Sequence, residues 1–542
     1  MMTMGTPFSR IKDAAVETLV RTWAAHGASS FERRDPLDAQ RRLLTHLVRT
    51  GKATRFGKDY GLSELARMPF DKLYRAYRQR IPIRTYEDFW REYFSPGYRQ
   101  IHGKRSLNLV DITWPGNIPF FCETSGTTAP TKFIPYTHEM HAANKRAALD
   151  LASCYLQRNP TSRLMQGKLL YMAGNTRLSG LGNGVTSGDM SAITLLHPPP
   201  YLKSFILPDP ALSALPWEDK LTAMAHLLLS DRDIRAISGV PPWILLLLKR
   251  CAELGGKTLP EILPNLELII HGGTSMKPYR KEFTALLGTA PPNFLELLPS
   301  SEAFMAFQLL GEENMRFAPY YGVFFEFVPF EELDERGAPR PDAAAIPLEE
   351  VQAGKRYAVI LSTCAGLWRY HIGDTLRIVS MAPLTIEFTG RDKFLDRFEE
   401  KVTQGEVEEA VAGLNRMDGI AIKEFLVGPD IPGRRHVWVF AMDTGGLCDR
   451  SRLAGNLDRS LQVMNADYAT FRGQGRISPP LVVTVSEELI YRWSKEVRGK
   501  LGGQSKIPHI DPTGDGEMLR SLLRFIGLDA SLAGYSGGVD AA

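Results

Sequence analysis

Between Thr124 and Thr137 the chain reads TSGTTAPTKFIPYT: five hydroxyl or glycine residues in a row, a break at Pro130, then one cation, Lys132. Glycine lets successive backbone N–H groups turn toward one point, and flanking hydroxyls add donors beside them. A concavity of that kind suits a polyphosphate, and a lysine on a flexible stem supplies the point charge that hydroxyls lack. Thr124, Ser125, Thr127, Thr128 and Lys132 are therefore the first candidates for chemistry. The segment is not a Walker A loop, since G-x-x-x-x-G-K-[ST] does not occur there. The same residue types also build ordinary polar surface turns.

Four further clusters accompany it. HGGTS at 271–275 follows an apolar run, and Gly272 and Gly273, with Thr274 beside them, permit close approach of a flat ring to the backbone; a plain strand-to-helix turn uses the same residues. PSSE at 299–302 places Ser301 and Glu302 after another apolar run. Glu302 is suited to Mg²⁺ beside a triphosphate, because that ion favours one or two carboxylates plus phosphate oxygens. A helix N-terminus with serine caps and an early acidic residue reads the same way. GLWRYHIGD at 366–374 ends in Asp374, a carboxylate able to accept both hydroxyls of a ribose, or else a residue of a turn between hairpin strands. Lys401 and Lys506 complete the set; a lone lysine is most often a solvated surface charge.

These residues need elements to hold them. Strand-like 118–123 leads into the hydroxyl loop and a long amphipathic helix at 138–157 leaves it, the position at which α/β proteins hold ligands. Strand patterns recur at 168–172, 266–270, 294–298, 321–328, 357–363 and 376–379, with helical patterns at 217–229 and 241–254. That alternation predicts a large α/β domain with a largely parallel sheet. Residues 8–100 predict a helical wrapping layer without chemistry, and 196–216, rich in proline, a loop region. After Gly390 eleven charges fall between Arg391 and Glu409, a density that predicts a solvated boundary. Beyond it, strands at 423–427 and 437–442 and a helix at 486–497 predict a small α+β unit, with a frayed tail from Leu528.

Composition narrows the function class. Lys plus Arg number 65 against 61 Asp plus Glu, so the net charge of +4 gives no footprint for nucleic acid or an anionic membrane. The five cysteines contain no C-x-x-C pair, the usage of a reducing compartment. The N-terminus has no signal-peptide core, and the apolar run Trp243 to Leu248 is far below the roughly 20 residues of a membrane span. A soluble, cytoplasmic monomer is expected.

Taken in order, T-S-G-T-T…K-x-I-P, S-S-E, R-Y-x-I-G-D and a charged hinge with lysine resemble the acyl-adenylate-forming superfamily. Within it the chain is most similar to the plant auxin-responsive (Gretchen Hagen) acyl acid–amido synthetases and their bacterial relatives. SGDMSAITLLHPPPYLKSFILP at 187–208, DRDIRAISGVPPWILLLLKRCAEL at 231–254 and GQSKIP at 503–508 follow the same family order, from about residue 35 to 510. The resemblance implies a large adenylate-forming α/β N-terminal domain, residues 1–395, with mixed and parallel sheets, and a smaller mobile α+β C-terminal lid, residues 396–542. It implies ATP-dependent, Mg²⁺-assisted activation of a small carboxylic acid and its transfer to an amine, an amino acid being the expected acceptor; transfer to a thiol and non-catalytic nucleotide binding are the other readings. By position, Thr124, Ser125, Thr127 and Thr128 with Lys132 would meet the phosphates. Gly272, Gly273 and Thr274 would line the adenine pocket, Ser301 and Glu302 would sit by the α-phosphate and metal, and Asp374 would hold the ribose. Lys401 would reach the phosphate, and Lys506 would arrive with the lid. Three positions depart from the family pattern: Ala129-Pro130 in the loop, Leu298 where an aromatic is usual, and His371 in place of arginine.

Overall fold

The computed structural model describes residues 7–101, 104–124, 132–288, 290–334, 337–391, 394–395, 397–398, 400, 402–442, 449–499, 507–528 and 538–540. A twelve-stranded sheet forms its centre. In one half, Ile206–Leu207, Lys168–Tyr171, Ile234–Gly239, Leu268–Gly272 and Asn293–Pro299 run parallel, in that spatial order. Helices Trp217–Ser230, Pro241–Gly255 and Arg280–Leu287 lie between successive strands, as a parallel sheet requires. The apolar run at 243–248 lies in the helix Pro241–Gly255. Pro241 and Pro242 open that helix, where a missing N–H is harmless, and Gly256 closes it in the left-handed region at φ +59°. Its Trp243, Ile244, Leu247 and Leu248 are buried. Among the described residues no helix is long and apolar enough to cross a membrane.

The other half departs from the expected parallel arrangement. Phe304–Gln308, Met315–Phe317, Leu384–Arg391, Tyr370–Met381, Arg356–Thr363, Val323–Pro329 and Ile346–Pro347 follow in spatial order, and every neighbouring pair is antiparallel. The sheet is therefore mixed, as the family resemblance implies. Leu384–Arg391 joins the two stretches, pairing with Met315–Phe317 on one side and Tyr370–Met381 on the other. A second, four-stranded sheet orders Lys132–Tyr136, Phe120–Thr124, Thr186–Gly188 and Ser179–Gly180. The helix His138–Arg158 leaves it with Thr137 as cap: the Thr137 hydroxyl accepts from Met140 N and donates to Cys364 O at 2.8 Å, tying this helix to the antiparallel half.

Residues 7–97 are mainly helical, as expected of 8–100, but Tyr98–Ile101 forms a strand paired with Lys104–Leu107; the helices pack on both halves. Helix Pro7–Glu32 packs along His138–Arg158, and just after it Arg34 pairs with Asp150 at 2.5 Å while the Tyr321 hydroxyl donates to the same carboxylate. The region 196–216 is not only loop, since it holds the strand Ile206–Leu207 and the helix Pro210–Ser213.

Inside the antiparallel half lies a buried ion pair, Arg369 Nε to Glu326 Oε2 at 2.9 Å. Arg369 also donates to Ile81 O and Arg78 O, and Tyr74 donates to Glu326, so neither charge lacks partners. Arg369→Met is expected to leave the buried Glu326 without its counter-ion, lowering stability by about 3–5 kcal/mol. Urea unfolding followed by fluorescence measures the loss; a change below about 1 kcal/mol, typical of a surface pair, would contradict the pair's structural weight.

Beyond residue 402 the chain builds its own sheet: Glu424–Asp430 antiparallel to Arg435–Ala441, then Leu481–Val485 and Gly538–Asp540 in parallel. The tail is thus not wholly frayed, since residues 538–540 add the edge strand. The charged run is not wholly solvated either. Glu400 is fully buried and accepts from His436 Nε2 at 2.6 Å and from Phe398 N at 2.7 Å. A charge can be taken out of water where partners replace the water, and here the partner comes from the strand Arg435–Ala441.

Candidate functional site

Leu268–Gly272 and Asn293–Pro299 are adjacent parallel strands, with Gly272 opposite Leu297. The glycine loop and the PSSE turn therefore leave the sheet side by side at its carboxyl ends, where open α/β sheets bind ligands. Gly272 has a steric reason to be glycine: a Cβ there would lie 2.6 Å from the Leu297 carbonyl oxygen. Gly273 sits at φ +86°. Next to them Thr274 Oγ1 is buried without a hydrogen-bond partner in the protein. An orphaned hydroxyl beside two glycines fits a site that receives a polar, flat group. Leu298 packs against the main core.

PSSE opens no helix. Residues 300–303 form the turn of an antiparallel hairpin between Asn293–Pro299 and Phe304–Gln308. Ser300 Oγ accepts from Glu302 N and Ala303 N at 3.2 and 3.0 Å, and Ser300 N donates to Ala303 O at 2.7 Å. Ser301 occupies the turn, partly buried, and the Glu302 side chain is buried. Glu302 faces the strand Phe120–Thr124: burial pushes the Cys122 thiol well up, and the Glu302 and Asp189 carboxylates add to the shift. Thr124 ends that strand opposite Lys132, the first residue of Lys132–Tyr136. The base of the hydroxyl loop and Glu302 thus share one region.

Lys132 lies 4.0 Å from Glu87 Oε1 and 5.3 Å from the Tyr86 ring. It is also close to His371, whose ring burial pushes down to about 4, Asp334 opposing the shift and Lys132 adding to it. Asp374 is neither at a strand end nor in a hairpin turn. It is buried within Tyr370–Met381, opposite Arg391, just after Gly373 at φ +81°. The first half of GLWRYHIGD is structural: Trp368 stacks on Phe56 and donates to Thr113 O, and Arg369 makes the buried ion pair.

The helix Gln404–Met417 links these regions. Its first turn meets the strand end near Asp374 so closely that a Cβ on Gly390 would come 3.0 Å from Gln404 Cβ. Further along, Glu409 pairs with Lys277, just past the glycine loop, at 3.3 Å. Ser125, Thr127, Thr128, Lys401 and Lys506 lie outside the described residues.

Sequence reading passed over three polar groups on or near the strands Phe120–Thr124 and Thr186–Gly188. Glu123 accepts from Arg105 at 3.1 Å and from the Ser187 hydroxyl at 2.6 Å. Asp189 is pushed up by burial, its carboxylate accepting from Asn175 N. Lys220 is buried, donating to Ala173 O and Gly174 O, with a pKa lowered by burial to about 8. Only Lys220 left a signal in the sequence, as a lone cation in line with Met224 and Leu228 on an apolar helix face.

The GH3 family N-terminal domain matches residues 30–246, the central domain 317–391 and the C-terminal domain 404–513. Indole-3-acetic acid-amido synthetase GH3.8 of Oryza sativa subsp. indica is 31% identical over 146 residues, 25% of this chain and 24% of that protein. Indole-3-acetic acid-amido synthetase GH3.10 of Arabidopsis thaliana is 25% identical over 272 residues, 46% of each protein. These matches span less than half of the curated relatives' length. The solved structure of GH3.15 acyl acid amido synthetase superposes with a TM-score of 0.72 at 17% identity, covering 90% of this chain and 93% of that one, so the fold is shared nearly throughout. Three domain matches in the right order, over most of the sequence, identify the chain as a member of the GH3 family.

Proposed function

We propose that this protein activates a carboxylic acid with ATP and joins it to an amine, an amino acid being the favoured acceptor. In the first step a carboxylate oxygen attacks the α-phosphorus and pyrophosphate leaves. In the second the amine nitrogen attacks the acyl carbon, AMP leaves and the nitrogen sheds a proton. A carboxylate is a poor electrophile, and adenylation gives it a good leaving group. The observation that carries this reading is the exit of the glycine loop and the Glu302 hairpin side by side from the large sheet, with Glu302 near Cys122 of the strand that leads into the hydroxyl loop.

Little covalent work falls to the chain in the first step, where placement and charge stabilisation dominate. The hydroxyl loop residues Thr124, Ser125, Thr127 and Thr128 are assigned to the phosphates, with Lys132 as their nearby cation. Gly272, Gly273 and Thr274 are assigned to the adenine and Asp374 to the ribose hydroxyls. Glu302, with Ser301, is assigned to the α-phosphate side. Among the described residues no group of three or more His, Cys, Asp or Glu is arranged to hold a metal, so Glu302 together with phosphate oxygens would hold Mg²⁺. When bound, the ion supplies charge neutralisation at the phosphates. Lys401 and Lys506 are assigned to the phosphate and to the moving C-terminal unit, residues 396–542, against the large unit, residues 1–395.

The test offers the full-length protein ATP, Mg²⁺ and a panel of carboxylic acids, first alone and then with amino acids or coenzyme A. Pyrophosphate release with one acid, followed by an amide in the amino-acid arm, is the expected outcome. A thioester in its place would reassign the acceptor. No pyrophosphate exchange with any acid would leave a nucleotide-binding protein without catalysis.

A further inference from the structure

The C-terminal sheet rests on the large one through buried charge as well as through the hinge. Tyr279, almost wholly buried after the glycine loop, donates its hydroxyl to Glu424 Oε1 at 2.6 Å. The neighbouring Lys423 places Nζ 2.6 Å from Glu282 and 2.8 Å from Glu487, and Glu282 also pairs with Lys249. Charges thus alternate from Pro241–Gly255 through Arg280–Leu287 to the lead-in of Glu424–Asp430 and the helix Glu487–Glu496. The Lys423 side chain is only 11% exposed. Beside it the Tyr491 ring lies 5.8 Å from Trp243 and packs against hydrophobic cores on both sides of the junction.

Pairs of this kind differ from surface ion pairs. Removing Lys423, the buried member, takes that partner from Glu487 and leaves Glu282 with Lys249 alone, so their mutual fit favours the arrangement seen. Separating the two sheets instead returns every charge to water, where each is well solvated. A junction built on charge can therefore hold one arrangement and still let go, whereas a large apolar junction would not.

We propose that the run Lys249–Glu282–Lys423–Glu487, with Tyr279 on Glu424, is a latch that holds the C-terminal sheet in one of the two arrangements the two steps require. Its members are positioning residues, and the inference rests on the two-step reading given under Proposed function. One arrangement closes on ATP and the other admits the amine. The latch fixes how much of the protein stands in the first or the second at any moment.

The experiment uses the full chain with Lys423→Met, Lys423→Arg and Tyr279→Phe. Two rates are measured: pyrophosphate release from acid and ATP, and amide formation from separately supplied acyl-adenylate. Lys423→Met is expected to change the ratio of the two rates by on the order of tenfold, the usual size of a coupling between states. Lys423→Arg should restore it, and Tyr279→Phe should move it the same way by less. Small-angle X-ray scattering supplies a readout apart from catalysis, with a larger radius of gyration expected for Lys423→Met at unchanged helix content. Equal change in both rates with unchanged scattering, or Arg as damaging as Met, would overturn the latch. If Lys423→Met does not fold, Tyr279→Phe, which removes one oxygen atom, decides by the same criteria. Wild-type protein without pyrophosphate release, alongside an expanded Lys423→Met, would keep the latch and remove the two-step reading.

Discussion

Replacing Glu302 by alanine is expected to lower turnover at saturating ATP by roughly 10²–10³-fold, the scale on which loss of one preorganised electrostatic partner acts. The fold should survive the change. The hairpin is locked by Ser300, through bonds to the backbone N–H groups of Glu302 and Ala303, and those bonds do not involve the Glu302 carboxylate. Loss should therefore appear in kcat, with the apparent affinity for ATP changed far less, and it should be partly recovered by raised Mg²⁺. Glu302→Asp should fall between the two. Pyrophosphate release at the wild-type rate from a folded alanine variant would remove Glu302 from the reaction and return it to the role of a turn residue.

Lys506→Ala is expected to separate the two half-reactions, slowing one by about 10²-fold and leaving the other within a few-fold, again the scale of one lost charge partner. Lys506 precedes a segment fastened to the C-terminal sheet, where Val427 N donates to His509 O and Asp511 N donates to Val427 O, both at 2.7 Å. His509 itself lies on Phe425 and is bonded to Glu408. Under the proposed assignment Lys506 travels with that sheet, serving whichever step brings the sheet to the phosphates and idle in the other. With Lys401 assigned to the phosphate, as proposed, Lys401→Ala should damage adenylation directly. The paired assay of pyrophosphate release and amide formation from supplied acyl-adenylate reads both. Equal losses in the two halves for Lys506→Ala would leave no place for a moving C-terminal unit.

Much of the parallel half was legible because its strands alternate with helices whose caps and periodicity are explicit, as in the Pro241 to Gly256 unit. The antiparallel half was not, for a physical reason. Val323–Pro329 and Arg356–Thr363 are buried on both faces and read as continuous apolar runs, the pattern of a parallel strand, while nothing in such a run encodes direction. The PSSE turn was ambiguous because Ser300 accepts from N–H groups two and three residues on, which is also what a helix-capping serine does. The buried state of Glu400 could not be read locally, because its partner His436 is 36 residues away. Asp374 was singled out by its neighbours in the motif, yet its place inside a long strand depends on pairing with Arg391, which no local pattern reports.

The position of Leu384–Arg391 between Met315–Phe317 and Tyr370–Met381 has a consequence for the making of the protein. The strand that closes the large sheet is the last of the twelve to leave the ribosome, and the short strand it must cover is made well before it. At a pace of roughly 5–20 residues per second, the free edge of Met315–Phe317 waits for several seconds with unpaired backbone groups and apolar neighbours in view. Over that interval the nascent chain is a natural client for holding chaperones, and a pause in translation before codon 384 would lengthen its exposure to misassembly.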